Sequence, residues 1–119
     1  MGHTYTKVRL YNLDLSAYED AELLVDTGST YTWVFKEILG RLGIKSEGER
    51  DFRTIEEKFI RRRIGMGIIE CMGERAPTVL VFAEDEDMKV LGVHALEGLG
   101  LEVDPTTKEL RKVKAVLAV

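Results

Sequence analysis

Cysteine, proline and long apolar runs are all scarce in this chain of 119 residues. The single cysteine, Cys71, has no second cysteine with which to form an internal disulfide, so we expect packing to stabilise the fold and the compartment to be reducing. No apolar run approaches the roughly 20 residues that span a bilayer, and the first residues lack the pattern of a signal peptide. The sequence therefore predicts a cytoplasmic protein with no membrane partner.

Side-chain amides are almost absent as well. There is no glutamine and Asn12 is the only asparagine, whereas charged residues make up 32% of the chain. Thermolabile amides are depleted and charged residues enriched in proteins that work at high temperature. We therefore expect a thermophilic source.

No charge of one sign dominates the chain. The 17 basic and 21 acidic residues leave a net charge of −4, which provides no general attraction to phosphate backbones, so a nucleic-acid partner is not expected. The short run Arg61-Arg62-Arg63 is interpreted as a solvated strand face or as the base of a hairpin flap. His3, His94 and Cys71 lack the spacing of metal ligands, so neither a metal nor a cofactor is expected.

The apolar pattern predicts one mostly β domain, because 45% of the residues are hydrophobic and the length suits a single core. Apolar residues at spacings of three and four predict a short helix at 32–42, and a second helix is predicted at 93–99, ended by Gly100. Turns are predicted at 14–20, 84–87 and 104–107. Strands are predicted at 4–13, 21–25, 50–60, 64–72, 77–83, 101–103, 109–113 and 114–119.

Two motifs carry a family resemblance. Residues 23–30 read LLVDTGST, and Val90-Leu91-Gly92 later opens a short helix. In this order they resemble the motifs of the retroviral-type (retropepsin-like) aspartic protease family. Residues 69–81 are similar to the stretch that follows the flap in that family, and residues 91–104 resemble the C-terminal helix and strand of its cellular and prokaryotic members. The resemblance implies one acid-protease domain over residues 1–119, a single-lobe closed β-barrel with two short helices that is active as a two-fold dimer.

The motif Asp26-Thr27-Gly28 occurs once in the chain. Hydrolysis of an amide by water needs one group that takes a proton and one that gives a proton, and two carboxylates that share a proton do both. The second carboxylate must then come from another copy, and a two-fold homodimer would place both Asp26 side chains on its axis. The sequence thus predicts an aspartic endopeptidase that hydrolyses peptides or proteins with water activated between Asp26 of two subunits.

The residues beside Asp26 have predicted roles of their own. Gly28 lets the backbone approach the carboxylate and donate its N–H, and the Ser29 hydroxyl is expected to donate to an Asp26 oxygen. The resemblance implies that Thr27 reaches across the dimer axis to the partner's backbone. The alternative interpretation of Asp26 is a turn residue that ends a strand.

The resemblance also implies a cleft that binds apolar side chains of an extended peptide. Plain core packing is the alternative for Leu24 and Val90. The residues that the resemblance places at the cleft wall are Leu24, Ser29, Trp33, Met88 and Val90.

A flap hairpin should close over this cleft and exclude water. The family's spacing puts its tip at Ile55-Glu56-Glu57-Lys58, which makes Ile55, Glu56 and Glu57 candidates for substrate binding. Viral members have a glycine-rich tip, whereas the nearest glycines here, Gly65 and Gly67, lie downstream. Two other interpretations therefore stay open: a non-catalytic dimerisation or peptide-binding module that retains the protease fold, and narrow proteolysis of one cognate protein.

Overall fold

The computed structural model describes residues 4–116 and residue 118. Within these residues the chain forms nine strands and two short helices, which confirms the expected all-β class. The elements are β1 (Tyr5–Tyr11), β2 (Tyr18–Val25), β3 (Thr32–Phe35), α1 (Lys36–Arg41), β4 (Gly48–Arg53), β5 (Phe59–Cys71), β6 (Glu74–Ala83), β7 (Val90–Leu91), α2 (Val93–Leu99), β8 (Leu101–Val103) and β9 (Leu110–Lys112).

Seven strands form one sheet in the order β3-β6-β5-β1-β2-β7, with β4 paired to β5, while β8 and β9 form a separate ribbon. The predicted closed barrel is wrong, because no ladder joins the end strands β3 and β7 in the described part of the chain. Strand β7 has only two residues before the chain turns into α2, and both pair with β2. Instead of a ladder, Gly92 N donates one hydrogen bond to Thr32 Oγ1 at 3.0 Å.

The core lies between the sheet and the two helices. Leu10, Leu39, Ile69 and Leu91 are completely buried there. Cys71 is 2% exposed and belongs to the same cluster, and its burial raises the pKa of the thiol. Packing of apolar side chains therefore stabilises the fold, with Cys71 as a free thiol inside it.

The predicted helix at 32–42 is correct only in its second half. Residues 32–35 form β3, which pairs in parallel with β6 from Thr32 opposite Leu80 to Phe35 opposite Ala83. Their burial alternates, as expected for a strand, and the sequence Thr-Trp-Val-Phe is rich in β-branched and aromatic residues. The spacing of three and four suited a helix, but pairing with β6 decided the conformation of this segment.

The hairpin of β4 and β5 turns at residues 54–58, not at 61–63 as the strand pattern predicted. The turn coincides with the tip position that the family's spacing predicts. Strand β5 has 13 residues, so it pairs with β4 in its first part and with β6 and β1 further on. The β4–β5 hairpin is thus an extension of the sheet, joined to it through β5.

Helix α2 has the predicted bounds, Val93–Leu99. This helix ends at Gly100, whose φ of +69° is the left-handed conformation that glycine adopts readily. The predicted hairpin of β8 and β9 is also present. The predicted last strand is wrong for residues 114–116, which form no strand, and positions 117 and 119 lie outside the described residues. Among the described residues, no helix is long and apolar enough to cross a membrane.

Candidate functional site

Asp26 follows the last residue of β2, where the parallel neighbour β7 holds the backbone in place. Asp26 N donates to Leu91 O at 3.0 Å, and Leu24 N donates to Lys89 O at 3.1 Å. The two strands are in register at Leu24 opposite Val90. The two motifs that are far apart in sequence are therefore adjacent in the fold.

The Asp26 carboxylate is oriented by the backbone of its own motif. Gly28 N donates to Asp26 Oδ1 at 2.9 Å, as predicted, and a Cβ at Gly28 would lie 3.2 Å from the same oxygen. Among the described residues, Oδ2 accepts no hydrogen bond. The prediction for Ser29 is wrong, because its hydroxyl donates to Tyr31 O at 2.8 Å. The carboxylate is thus held at one oxygen and free at the other.

Gly92 allows the loop after Asp26 to lie directly on the start of α2. A Cβ at Gly92 would come within 2.3 Å of Tyr31 O and 2.8 Å of Ser29 O, distances that no side chain tolerates. The loop and helix also share hydrogen bonds, from Val93 N to Ser29 O at 2.8 Å and from His94 N to Thr30 O at 3.0 Å. The glycine of the second motif is therefore required by contact with the first.

Asp26 opens into a cleft of about 520 Å³ between the sheet and the β4–β5 hairpin. Six of the predicted site residues other than Asp26 line this cleft: Gly28, Ser29, Trp33, Ile55, Met88 and Val90. Ile55 and Met88 are largely exposed, whereas Val90 is buried. The remaining lining residues are Thr30, Tyr31, Asp51, Phe52, Arg53, Thr54 and Ile60.

Four predicted site residues lie outside the cleft. Leu24 is buried between Tyr5 and Val90 in the sheet, which favours its alternative role in packing. Glu56 and Glu57 are exposed on the hairpin turn and do not line the cleft. Thr27 is exposed and borders a different groove, which contains residues of α2, β8 and the segment 113–116.

An aromatic cluster at the cleft was not predicted beyond Trp33. The Trp33 and Phe52 rings meet edge to face at 5.0 Å, and the Tyr31 and Phe52 rings do so at 6.3 Å. Arg50 Nη1 donates to the Tyr31 hydroxyl at 2.7 Å. These contacts join β4 to the segment after Asp26. Arg50 and Phe52 lie two residues apart and so share one face of β4, which the sequence could have indicated. A strand pattern does not, however, identify the residues that these side chains contact.

An ion pair between side chains that are 14% and 8% exposed connects β5 to the turn before β7. Arg62 donates to both Asp87 oxygens, from Nε at 2.7 Å and from Nη2 at 2.9 Å, and Glu84 N donates to Asp87 Oδ2 at 2.8 Å. Burial alone would raise the pKa of Asp87, but the hydrogen bonds from Arg62 and Glu84 outweigh it and the pKa is lowered. The interpretation of the arginine run as a solvated face is therefore wrong for Arg62.

Two carboxylates, those of Asp26 and Asp51, line the cleft. In the part of the chain that the structure describes, no three His, Cys, Asp or Glu side chains cluster as metal ligands. The arrangement offers a carboxylate with one unbonded oxygen beside a cleft of mixed apolar and polar lining. In sequence comparisons, the chain matches no protein-family model and no curated protein.

Proposed function

We propose that this protein is an aspartic endopeptidase of the retropepsin-like type that acts as a homodimer. The observation that carries the proposal is the placement of Asp26 at the end of β2, held by Gly28 N and braced by β7, beside a cleft under a hairpin. The free Oδ2 is available to water and to a second carboxylate. A turn aspartate that merely ended a strand would need neither the cleft nor the hairpin.

In the proposed reaction, two Asp26 carboxyl groups share one proton across the two-fold axis. The ionised member takes a proton from water as the water oxygen attacks the peptide carbonyl carbon, and the protonated member donates its proton to the carbonyl oxygen. Collapse of the tetrahedral intermediate breaks the C–N bond as the pair protonates the leaving amine and accepts the proton of one hydroxyl group, which restores the shared proton. Water supplies every atom added to the two products.

The exposed surface beside Asp26 supports the proposed dimer. Thr27 is exposed at the border of a groove of about 620 Å³. Apolar side chains from α2, β8 and the following segment contribute to this groove, among them Val93, Leu96, Leu101, Val113 and Val116. A second copy that covered this groove would bury apolar surface and bring two Asp-Thr-Gly motifs together.

The cleft lining supports a substrate with an apolar side chain next to the cleaved bond. Trp33, Phe52 and Ile60 present aromatic and aliphatic surface, and Ile55 and Met88 are exposed beside them. An extended peptide in the cleft would lie under the β4–β5 hairpin, which would shield the reacting atoms from bulk water. We therefore propose unfolded or extended protein segments as the substrate class.

Cleavage of a broad peptide library over acidic to neutral pH tests the activity. We expect cleavage by the wild type, a bell-shaped dependence of rate on pH, and loss of activity in Asp26→Asn, because only a singly protonated pair can act as acid and base. Asp85→Asn is the matched control, since Asp85 is an exposed turn residue that does not line the cleft. Cleavage that survived Asp26→Asn would remove Asp26 from the mechanism.

Mixing wild-type chains with Asp26→Asn chains tests whether two chains share one active site. If each site needs two Asp26 groups, an excess of Asp26→Asn chains captures the wild type in mixed dimers and suppresses its activity. The activity per chain should also fall on dilution as dimers dissociate. Activity that stayed proportional to the wild-type concentration in both experiments, together with a strict monomer by ultracentrifugation, would contradict the shared pair.

A non-catalytic peptide-binding module is the second candidate. The hairpin turn favours it, because Glu56 and Glu57 are exposed there and no glycine lies within residues 54–58. Such a module would bind apolar peptides without cleaving them, and Asp26→Asn would bind them as tightly as the wild type. Binding without cleavage across the whole library would favour this function over the peptidase.

A further inference from the structure

The Arg62–Asp87 ion pair joins two parts of the cleft wall. Arg62 lies on β5, opposite Arg50 of β4, a few residues from the hairpin turn. Asp87 immediately precedes Met88, which lines the cleft together with Ile60 and Ile55 of the hairpin. The pair therefore connects the hairpin to the turn that carries Met88.

This pair differs in burial from the ion pairs that Arg61 forms with Asp51 and Glu49 on the same hairpin. The side chains of Arg62 and Asp87 are 14% and 8% exposed, whereas those of Arg61 and Asp51 are 63% and 58% exposed. A buried charge that loses its partner is strongly unfavourable, whereas an exposed pair contributes little. Because both Arg62 nitrogens reach Asp87, the pair also restricts the orientation of the two segments.

The turn that presents Asp87 is itself firmly held. Lys89 Nζ donates to the carbonyl oxygens of Glu84, Asp85 and Asp87 at 3.0, 2.9 and 2.7 Å. Glu84 also accepts from Lys36 Nζ at 2.6 Å, which links the turn to α1. Asp87 is thus a fixed anchor against which the hairpin can be positioned.

We propose that Arg62 and Asp87 form a positioning pair that holds the β4–β5 hairpin over the cleft and thereby determines how tightly the cleft binds its substrate. Neither side chain needs to touch the substrate, because the pair acts through the placement of the hairpin. The expected effect on substrate binding rests on the proposed peptidase function, whereas the expected effect on the position of the hairpin does not.

Trp33 reports the hairpin position without any need for activity. It is the only tryptophan, and its ring packs against Phe52 of β4. In Asp87→Asn we expect a red shift of the Trp33 emission maximum and stronger quenching by acrylamide, because the hairpin withdraws and water reaches the ring. Glu49→Gln, which breaks the exposed contact with Arg61 on the same hairpin, is the matched control and should emit as the wild type does, because Glu49 does not line the cleft.

Peptide kinetics provide the second measurement. In Asp87→Asn we expect kcat/KM to fall about tenfold or more, mainly through a higher KM, because small misplacements at a site have large kinetic effects. Glu49→Gln should stay within about twofold of the wild type, as expected for an exposed pair. Equal spectra and equal kinetics in Asp87→Asn and Glu49→Gln would overturn the proposal.

A milder variant keeps the test decisive if Asp87→Asn does not fold. Arg62→Lys retains the charge but loses the two-pronged contact with Asp87, so we expect spectral and kinetic changes in the same direction and smaller in size. A folded Arg62→Lys with wild-type emission and wild-type KM would refute the proposal. If no form, including the wild type, cleaves peptides, the proposed function fails, and Trp33 emission alone decides the role of the pair.

Discussion

Gly92→Ala should disrupt the contact between the two motifs that build the site. Gly92 has φ of −92° and ψ of 172°, an extended conformation that alanine adopts without strain. Any cost of the substitution therefore comes from the space around the new methyl group. That group would lie 2.3 Å from Tyr31 O, 2.6 Å from Tyr31 C and 2.8 Å from Ser29 O.

The expected loss of stability in Gly92→Ala depends on which atoms must move to make room for the methyl group. All three neighbouring atoms belong to the backbone, so no side chain can rotate away from the methyl group. The loop or the start of α2 has to retreat by about 1 Å, which also lengthens the hydrogen bond from Val93 N to Ser29 O. Overpacking typically costs about 1–3 kcal/mol and here involves rigid atoms, so we expect a loss of about 3 kcal/mol in the free energy of unfolding.

Denaturant unfolding followed by circular dichroism measures this loss, and a loss of that size lowers the melting temperature by roughly 12 °C in a domain of this length. Gly40→Ala is the matched control, because a Cβ at Gly40 of α1 meets nothing within 4 Å. The control should gain about 0.5–1 kcal/mol from the higher helix propensity of alanine. If Gly92→Ala were as stable as the wild type, the close approach of the two motifs would be refuted.

Three further predictions concern the fold. Thr78 is 2% exposed and its Oγ1 has no hydrogen-bond partner among the described residues, so Thr78→Val should raise the free energy of unfolding by about 1 kcal/mol, and a decrease on chemical denaturation would contradict this. Leu39 is completely buried, so Leu39→Ala should cost about 2–5 kcal/mol in the same assay, whereas Leu13→Ala, at an exposed position, should cost little. The pKa of Asp87 is lowered in the folded state, so the Arg62–Asp87 pair stabilises the protein fully above pH about 4 and progressively less as the pH falls below it. Acid titration of the melting temperature should therefore show a shallower decline for Asp87→Asn than for the wild type, and parallel curves would refute this assignment.

Much of the local structure follows from short stretches of sequence. Helix α2 has its predicted boundaries because Gly100 ends it in a left-handed conformation, and the β8–β9 hairpin follows from the turn residues at 104–107. The Gly28 N–H bond to Asp26 also follows from its own three residues. In these cases the interacting residues are neighbours in the chain, so the local sequence specifies the local conformation.

Elsewhere, contacts between residues that are distant in the chain determine the local structure. Residues 32–35 satisfied a helical spacing, yet they form a strand because β6 supplies the hydrogen-bonding partner. The side chain of Arg62, the middle residue of the arginine run, is only 14% exposed because Asp87, on another segment, faces it. No pattern within any one of these segments specifies such a contact.

The sequence by itself determined the all-β class, the single Asp-Thr-Gly motif and the bounds of α2, because strands, helix ends and motifs depend on residues close together in the chain. Only the tertiary structure decided that the sheet stays open between β3 and β7, that Leu24 and Thr27 lie outside the cleft, and that Arg62 and Asp87 are paired. The physical reason is that burial and charge pairing are properties of segments brought together by folding, and the free energy of each contact exists only once both partners are in place.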